Sequence, residues 1–117
     1  MAARFDLSID RGADWVFDWT WKNSDGTLKD LTDIDEVRCD FRRRADSPTA
    51  LLSFSIANGK SSVNTGTSTI SISLTAEETA ALTFNEAVYD ILIVYDDGRV
   101  TKAFRGDVSL NPAITRD

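Results

Sequence analysis

The sequence contains no histidine, and its 117 residues include a single cysteine, Cys39. The absence of histidine removes the commonest metal ligand and the commonest general base at neutral pH. Serine or cysteine nucleophiles that depend on a histidine base are excluded with it. A lone cysteine excludes an intrachain disulfide and a thiolate metal cluster. We therefore expect a protein that is not an enzyme and that needs no metal or other cofactor.

Long apolar runs and a surplus of basic charge are missing as well. No run reaches the roughly 18 apolar residues that a membrane-spanning helix needs. The first residues lack the apolar segment of a secretory signal, so we expect synthesis in the cytoplasm. The formal net charge of −6 disfavours nucleic acid as a partner, because phosphate binding needs a basic surface. We expect neither a membrane nor a nucleic acid as the partner.

One basic run departs from this acidic balance. Arg42, Arg43 and Arg44 follow one another, with Asp40 and Asp46 close by in the sequence. Such a run is typical of a solvated strand end or a salt-bridged rim. A phosphate site is the alternative interpretation.

Carboxylates are numerous, but most of them fall in predicted turns, where aspartate usually bonds to its own backbone. The acidic stretch 30–36 contains several potential calcium ligands, yet it lacks the glycine and glutamate spacing of an EF-hand loop. We interpret it as an acidic bend, with a calcium site as the alternative. A glycosidase-like pair of carboxylates stays open, although nothing in the sequence singles one out.

What the sequence does contain is a period-two pattern of large apolar residues. Trp15, Phe17, Trp19 and Trp21 alternate with smaller or polar residues, which puts four rings on one face of a strand. Similar alternation recurs in 37–41, 52–56, 70–74, 89–95 and 104–110. About seven or eight such strands predict an all-β fold, an immunoglobulin-like antiparallel β-sandwich formed as a single domain by residues 1–117.

Turn and helix signals separate these strands. Gly26, Gly59 and Gly98 follow asparagine or aspartate and predict hairpin turns. Thr75 and Glu78 form a capping-box pattern, which predicts one short helix over about 75–82 that crosses between the sheets.

Several side chains are predicted to be buried. Cys39 shares the phase of its apolar neighbours and is interpreted as a small core residue. The strand 89–95 is apolar on both faces, with Leu92 and Val94 opposite the main set, so we expect burial on both sides. Core placement of the tryptophan strand predicts that Trp19→Ala lowers the free energy of unfolding by roughly 3–5 kcal/mol. The alternative for these rings is a stacking platform for sugar or single-stranded nucleic acid, with Trp21 the most exposed.

The chain resembles a family of small tailed-bacteriophage and prophage virion proteins along most of its length. The residues that carry the resemblance are 4–9, 11–15, 21–27, 30–32, 37–42, 69–75, 88–91 and 106–112. The opening half is similar to the N-terminal β-domain of phage baseplate upper proteins, which attaches receptor-binding machinery to the tail. No coiled coil or fibre follows that domain within the 117 residues. The resemblance transfers strand and turn signatures, and it transfers no catalytic or ligand residue.

The resemblance implies a structural protein of the virion, made in the host cytoplasm, that acts as an assembly or adaptor module of the tail, baseplate or tail-fibre attachment region. Its partners would be other phage structural proteins, and we expect a symmetric multimer on the particle. A capsid decoration or cement protein is the first alternative. A carbohydrate-binding module that uses the tryptophans is the second.

Terminal strands are the segments that most readily add to a neighbour's sheet edge. We therefore predict interface residues in the first strand, at the end of the tryptophan strand and in an extended C-terminal arm, 111–117. The candidates are Arg4, Phe5, Leu7, Ile9, Trp21, Pro112 and Ile114.

Overall fold

The computed structural model describes residues 3–112, and most of them lie in β-strands. In chain order the elements are β1 (Ala3–Arg4), β2 (Leu7–Asp10), β3 (Trp15–Thr20), β4 (Ile34–Arg42), β5 (Leu52–Phe54), β6 (Ser61–Asn64), β7 (Thr69–Leu74), α1 (Ala76–Ala80), β8 (Glu86–Tyr95) and β9 (Val100–Asn111). The strands follow the period-two pattern of the sequence. Within residues 3–112, no helix is long and apolar enough to cross a membrane.

The strands form two sheets that enclose one apolar core. The larger sheet has six strands in the order β1-β9-β8-β4-β5, with β2 also paired to β9. The smaller sheet has three strands in the order β3-β7-β6. These orders match the B-E-D and C-F-G sheets of an immunoglobulin domain. The predicted all-β, immunoglobulin-like sandwich is therefore confirmed.

The first two strands depart from the predicted antiparallel pairing. Both β1 and β2 run parallel to β9, along the edge that β8 leaves free. Leu7 lies opposite Val108 and Ile9 opposite Leu110. Residue alternation sets which residues form a strand but not the direction of its neighbour, so the sequence carried no signal for this parallel ladder.

Leu7 and Ile9 correct the prediction of interface residues. Their side chains are 4% and 0% exposed, and both belong to the apolar core. The reason is the in-register pairing of β2 with β9, which turns these two side chains toward the opposite sheet. They stabilise the domain and offer no surface to a partner.

The core includes an aromatic cluster at β4, β5 and β8. Phe41 is fully buried, and its ring centroid lies 5.0 Å from that of Phe54. Cys39 is 1% exposed, which confirms its prediction as a core residue. Burial is the main cause that raises the pKa of its thiol well above the ordinary value. The thiol is therefore protonated and unreactive at neutral pH.

The prediction that β8 is buried on both faces is wrong. Ile91 and Ile93 are buried on the inner face, whereas Leu92 and Val94 are only half-buried on the outer face. Among the described residues no further layer covers the outer face of the larger sheet. The second row of apolar residues therefore lies at the protein surface.

The predicted helix and turns are present. Thr75 caps α1 by accepting a hydrogen bond from the Glu78 N–H, and the Glu78 carboxylate accepts one from the Thr75 N–H. The helix is shorter than predicted, Ala76–Ala80, and it links β7 of one sheet to β8 of the other. Gly26, Gly59 and Gly98 all have positive φ, as tight hairpin turns require.

Candidate interaction surface

The two lateral sides of the sandwich are closed in different ways. On one side, residues 55–60 cross from β5 to β6 and span the gap between the sheets. On the other side, β3 ends the smaller sheet, and β1 and β2 end the larger one. Within residues 3–112, no strand pairs with the outer edge of β3. These two sides are termed the closed side (55–60) and the open side (β1 to β3).

Five aromatic rings fill the gap on the open side. The ring centroid of Phe17 lies 5.3 Å from that of Phe5 and 5.6 Å from that of Phe104. The Trp19 centroid lies 4.5 Å from that of Phe104 and 4.8 Å from that of Trp21. This chain of rings is termed the aromatic row. Phe5 is 49% exposed and the other four are half-buried, so aromatic surface reaches solvent here.

The rings of β3 and of Trp21, which directly follows it, were predicted to be core, and that prediction holds only in part. Trp15, Phe17, Trp19 and Trp21 all pack against the core, but each is half-buried. The cause is the position of β3 at the edge of its sheet, where no neighbouring strand covers one flank of the rings. Alternation identified the inward face correctly and could not reveal the missing neighbour.

Phe5 lies where the N-terminal strand breaks between β1 and β2. Its N–H donates to the Arg105 carbonyl at 2.9 Å, and its carbonyl accepts a hydrogen bond from the Tyr89 hydroxyl. A Cβ at Gly106 would lie 2.8 Å from the Phe5 carbonyl carbon, so a side chain at that position would push the strand away. Glycine at position 106 thus lets the Phe5 backbone lie close to β9, while its ring packs on Phe17.

The Tyr89 hydroxyl remains a hydrogen-bond donor over the physiological pH range. Burial is the main cause that raises the pKa of this phenol far above its ordinary value of 10.0. The Phe5 carbonyl therefore keeps its partner, which holds the start of the aromatic row in place.

Cations flank both ends of the aromatic row. At one end, the Arg4 guanidinium lies 3.2 Å from an Asp6 carboxylate oxygen and 3.0 Å from an Asp107 oxygen. At the other end, the Lys29 ammonium lies 5.1 Å from the centroid of the Trp21 ring, within cation–π range. The open side therefore has an apolar middle and polar ends, the arrangement seen at the centre and rim of protein interfaces.

Three of the predicted interface residues, Arg4, Phe5 and Trp21, lie together along the open side. Pro112 is exposed just after the last strand. Ile114 and the rest of the predicted arm beyond Pro112 lie outside the described residues.

The outer face of the larger sheet carries a second, polar feature. A shallow depression of about 370 Å³ lies over β4, β8 and β9. Arg42 pairs with Asp40 at 2.8 Å, and Lys102 pairs with Asp90 at 3.3 Å, both within this depression. The salt-bridged interpretation of the basic run is thus confirmed at Arg42. The ion pair of Arg4 with Asp107 also lines the depression, as does Arg105, which forms no ion pair within residues 3–112.

Three of the predicted turn carboxylates, Asp25, Asp30 and Asp97, bond to their own turns, whereas Asp35 lies inside β4 and Asp33 lies near the Arg99 guanidinium. Asp30 accepts hydrogen bonds from the N–H and hydroxyl of Thr32, and the N–H bond is the main cause that lowers the pKa of Asp30. The hydroxyl of Thr27 is the main cause that lowers the pKa of Asp25. In the described part of the chain, no group of three or more acidic or thiol side chains is placed to hold a metal ion.

The tryptophan platform has little free ring surface. Trp19 stacks on Trp21 with an interplanar angle of 27° and forms a T-shaped pair with the Phe104 ring. Trp21 carries the Lys29 ammonium over its ring as well. Stacking on a sugar or base needs an open ring face, and these contacts use the faces of both rings.

Two features of this surface were not predicted from the sequence. The first is that Phe104 joins Phe5 and Phe17 in one row, because the row depends on which strands lie at the sheet edges. The second is the close approach of the N-terminal strand to β9. Gly106 was the available signal, since an isolated glycine in a strand marks a bulge or a close backbone approach.

Comparison of the sequence with protein-family models finds no matching family, and a search of curated proteins finds no matching relative.

Proposed function

We propose that this protein is a non-enzymatic structural protein of a bacteriophage virion, an assembly or adaptor module of the tail, baseplate or tail-fibre attachment region. It is made in the host cytoplasm and joins other phage structural proteins as a symmetric multimer on the particle. The sequence resemblance to small tailed-phage proteins supports the virion role. The open side supports the assembly role.

One observation carries the assembly role: aromatic surface lies along an unpaired strand edge. Phe5 is 49% exposed, and Val16, on the outer face of β3, is 57% exposed. Contiguous aromatic surface along a sheet edge is typical of sites that bind a partner. Among the described residues, no segment of this chain covers them.

A carbohydrate-binding role receives less support from the same rings. The faces of Trp19 and Trp21 are used by each other, by Phe104 and by Lys29. A protein surface, which can cover the exposed ring edges and the free backbone together, fits the open side better.

The location is tested by a cryo-electron-microscopy reconstruction of the particle whose genes neighbour this one, with mass spectrometry of the purified particles. Density for a 12.9-kDa domain at the tail tip, baseplate or fibre junction supports the proposal. Density on the capsid shell replaces it with the decoration role. Absence of the protein from the particles overturns both.

The role of the open side is tested by two matched variants. Phe5→Ser removes an exposed ring of the aromatic row, and Ile56→Ser removes a 38% exposed apolar residue on the closed side. We expect incorporation into particles to fall about tenfold for Phe5→Ser, equivalent to about 1.4 kcal/mol of binding free energy. We expect Ile56→Ser to be incorporated as the wild type, with both variants folded by circular dichroism. Equal incorporation of the two variants would contradict attachment through the open side.

A further inference from the structure

The backbone of β3 has free hydrogen-bonding groups on the open side. The Ser73 N–H donates to the Lys60 carbonyl at 3.0 Å, so Ser73 turns its backbone groups toward β6. Along a strand, successive residues point their N–H and C=O groups to opposite sides. The backbone groups of Leu74, Ile72 and Ile70 therefore face β3 instead. Their partners in register are the aromatic residues of β3, in the pairs Trp15–Leu74, Phe17–Ile72 and Trp19–Ile70.

The other residues of β3 therefore point their backbone groups away from the sheet. These residues are Val16, Asp18 and Thr20, and within residues 3–112 no strand pairs with this edge. Their N–H and C=O groups alternate with three half-buried rings along the same strand. An incoming extended strand would meet both the hydrogen-bonding ladder and the apolar flank that strand addition uses.

The side chains next to this edge specify the charge of the incoming strand. Asp18 accepts a hydrogen bond from the Ser71 hydroxyl at 2.5 Å, and Asp14 accepts one from the Ala76 N–H at 2.7 Å. Neither carboxylate forms an ion pair within the described part of the chain. Two carboxylates without an ion pair next to this strand favour a basic side chain on the strand that is added.

A second copy of this chain fits the edge poorly. Antiparallel pairing of two β3 strands centred on Asp18 would set the two Asp18 carboxylates opposite each other. Each copy also carries a net charge of −6, which opposes close association of the two acidic edges. The charge distribution thus favours a different chain.

We propose that the free edge of β3 accepts an extended strand from a different virion protein. This strand carries apolar side chains at alternate positions, which cover Phe17 and Trp19, and a lysine or arginine beside Asp18. The inference rests on the proposed function and identifies the edge at which the attachment takes place.

Asp18→Pro tests the backbone edge. The Asp18 N–H points outward, so proline at this position removes no hydrogen bond of the β3–β7 ladder and is tolerated as on other edge strands. It does remove a donor to an added strand and places a ring in its path. We expect Asp18→Pro to fold by circular dichroism and to be incorporated into particles at least about tenfold less than the wild type.

Asp18→Ala is the matched control, because it removes the same carboxylate and keeps the N–H. We expect it to lose incorporation less than Asp18→Pro, by about threefold. Equal loss in the two variants, or wild-type incorporation of Asp18→Pro, overturns strand addition at β3. Should Asp18→Pro fail to fold, Val16→Pro against Val16→Ala makes the same comparison at another outward N–H.

Two further outcomes separate this inference from the proposed function. Absence of the wild-type protein from particles overturns the function, and the inference with it. Presence of the wild type together with full incorporation of the proline variants overturns the inference alone. A dimer of the isolated protein in sedimentation velocity that Asp18→Pro abolishes would assign the edge to a second copy and overturn the different-partner proposal.

Discussion

The closed and open sides of this sandwich bury similar aromatic residues to different extents. On the closed side, the 55–60 segment crosses between the sheets, and Phe41 and Phe54 next to it are 0% and 1% exposed. On the open side no strand of the described chain lies over β3, and Phe17 and Trp19 are only half-buried. Aromatic rings lie on both sides of the sandwich. The difference is that a backbone segment spans the gap between the sheets on the closed side only, within residues 3–112.

Hydrogen bonds explain why the crossing segment closes its side well. The Glu36 carboxylate accepts bonds from the Ile56 and Ala57 N–H groups, which ties the segment to β4. The Asn58 side chain satisfies further backbone groups, including the Ser53 carbonyl. With its backbone groups paired, the segment can lie over the core. On the open side the outward backbone groups of β3 pair with no strand within residues 3–112.

The comparison predicts the largest loss of stability on the closed side. Phe41 meets Trp15, Phe54, Phe84 and Tyr89 and has no exposed surface. Phe41→Ala should lower the free energy of unfolding by roughly 3–5 kcal/mol, the cost of emptying an aromatic core site. Urea unfolding followed by tryptophan fluorescence measures this. A loss below about 1 kcal/mol would mean that neighbouring side chains move to fill the cavity left by the Phe41 ring. The core next to the closed side would then not be tightly packed.

An equivalent truncation on the open side should cost less. Trp19 is partly exposed and packs on Trp21 and Phe104, so Trp19→Ala removes less buried contact than the truncation of a fully buried ring. We expect a loss of about 2 kcal/mol, below the 3–5 kcal/mol that the sequence alone suggested. The same urea titration, followed by circular dichroism, measures it. If Trp19→Ala lowered the free energy of unfolding as much as Phe41→Ala does, the two sides would not differ in how much their aromatic rings contribute to stability.

The local part of this architecture was predictable from the sequence. The strand positions follow from residue alternation, the hairpins from glycine after asparagine or aspartate, and α1 from Thr75 and Glu78. Each of these signals acts between residues that are close in sequence. Cys39 was placed correctly for the same reason, since its neighbours fix its phase.

The part that decides the surface was not predictable, because it depends on contacts between distant residues. Leu7 and Ile9 looked like free terminal residues, and only their parallel pairing with Val108 and Leu110 makes them core. The rings of β3 looked like ordinary core residues, and only the absence of a neighbour on one flank, among residues 3–112, leaves them half-buried. Residue alternation predicts on which face of a strand a side chain lies. The order of the strands in the sheets determines whether other parts of the chain cover that side chain.

The smallest predicted effect concerns an ion pair that holds the closed side to the helix. The Lys60 ammonium, at the end of the crossing segment, lies 2.8 Å from the Glu78 carboxylate at the start of α1. The hydrogen bond from Lys60 is the main cause that lowers the pKa of Glu78 below its ordinary value of 4.5. Because the pKa is lower in the folded state, the pair stabilises the protein above pH 4.5, and this contribution is lost as the pH falls through the lowered pKa.

Glu78→Gln should therefore lower the thermal unfolding midpoint at pH 7 by a few degrees at most, and the difference from the wild type should shrink toward pH 3. Glu77→Gln is the matched control, since Glu77 lies in the same helical turn and forms no ion pair within residues 3–112. Its difference from the wild type should not follow the same pH profile. A difference in unfolding midpoint between Glu78→Gln and the wild type that stays constant from pH 7 to pH 3 would show that the Lys60–Glu78 ion pair does not hold the crossing segment. The closed side would then owe its burial to Glu36 and Asn58, and not to its link with α1.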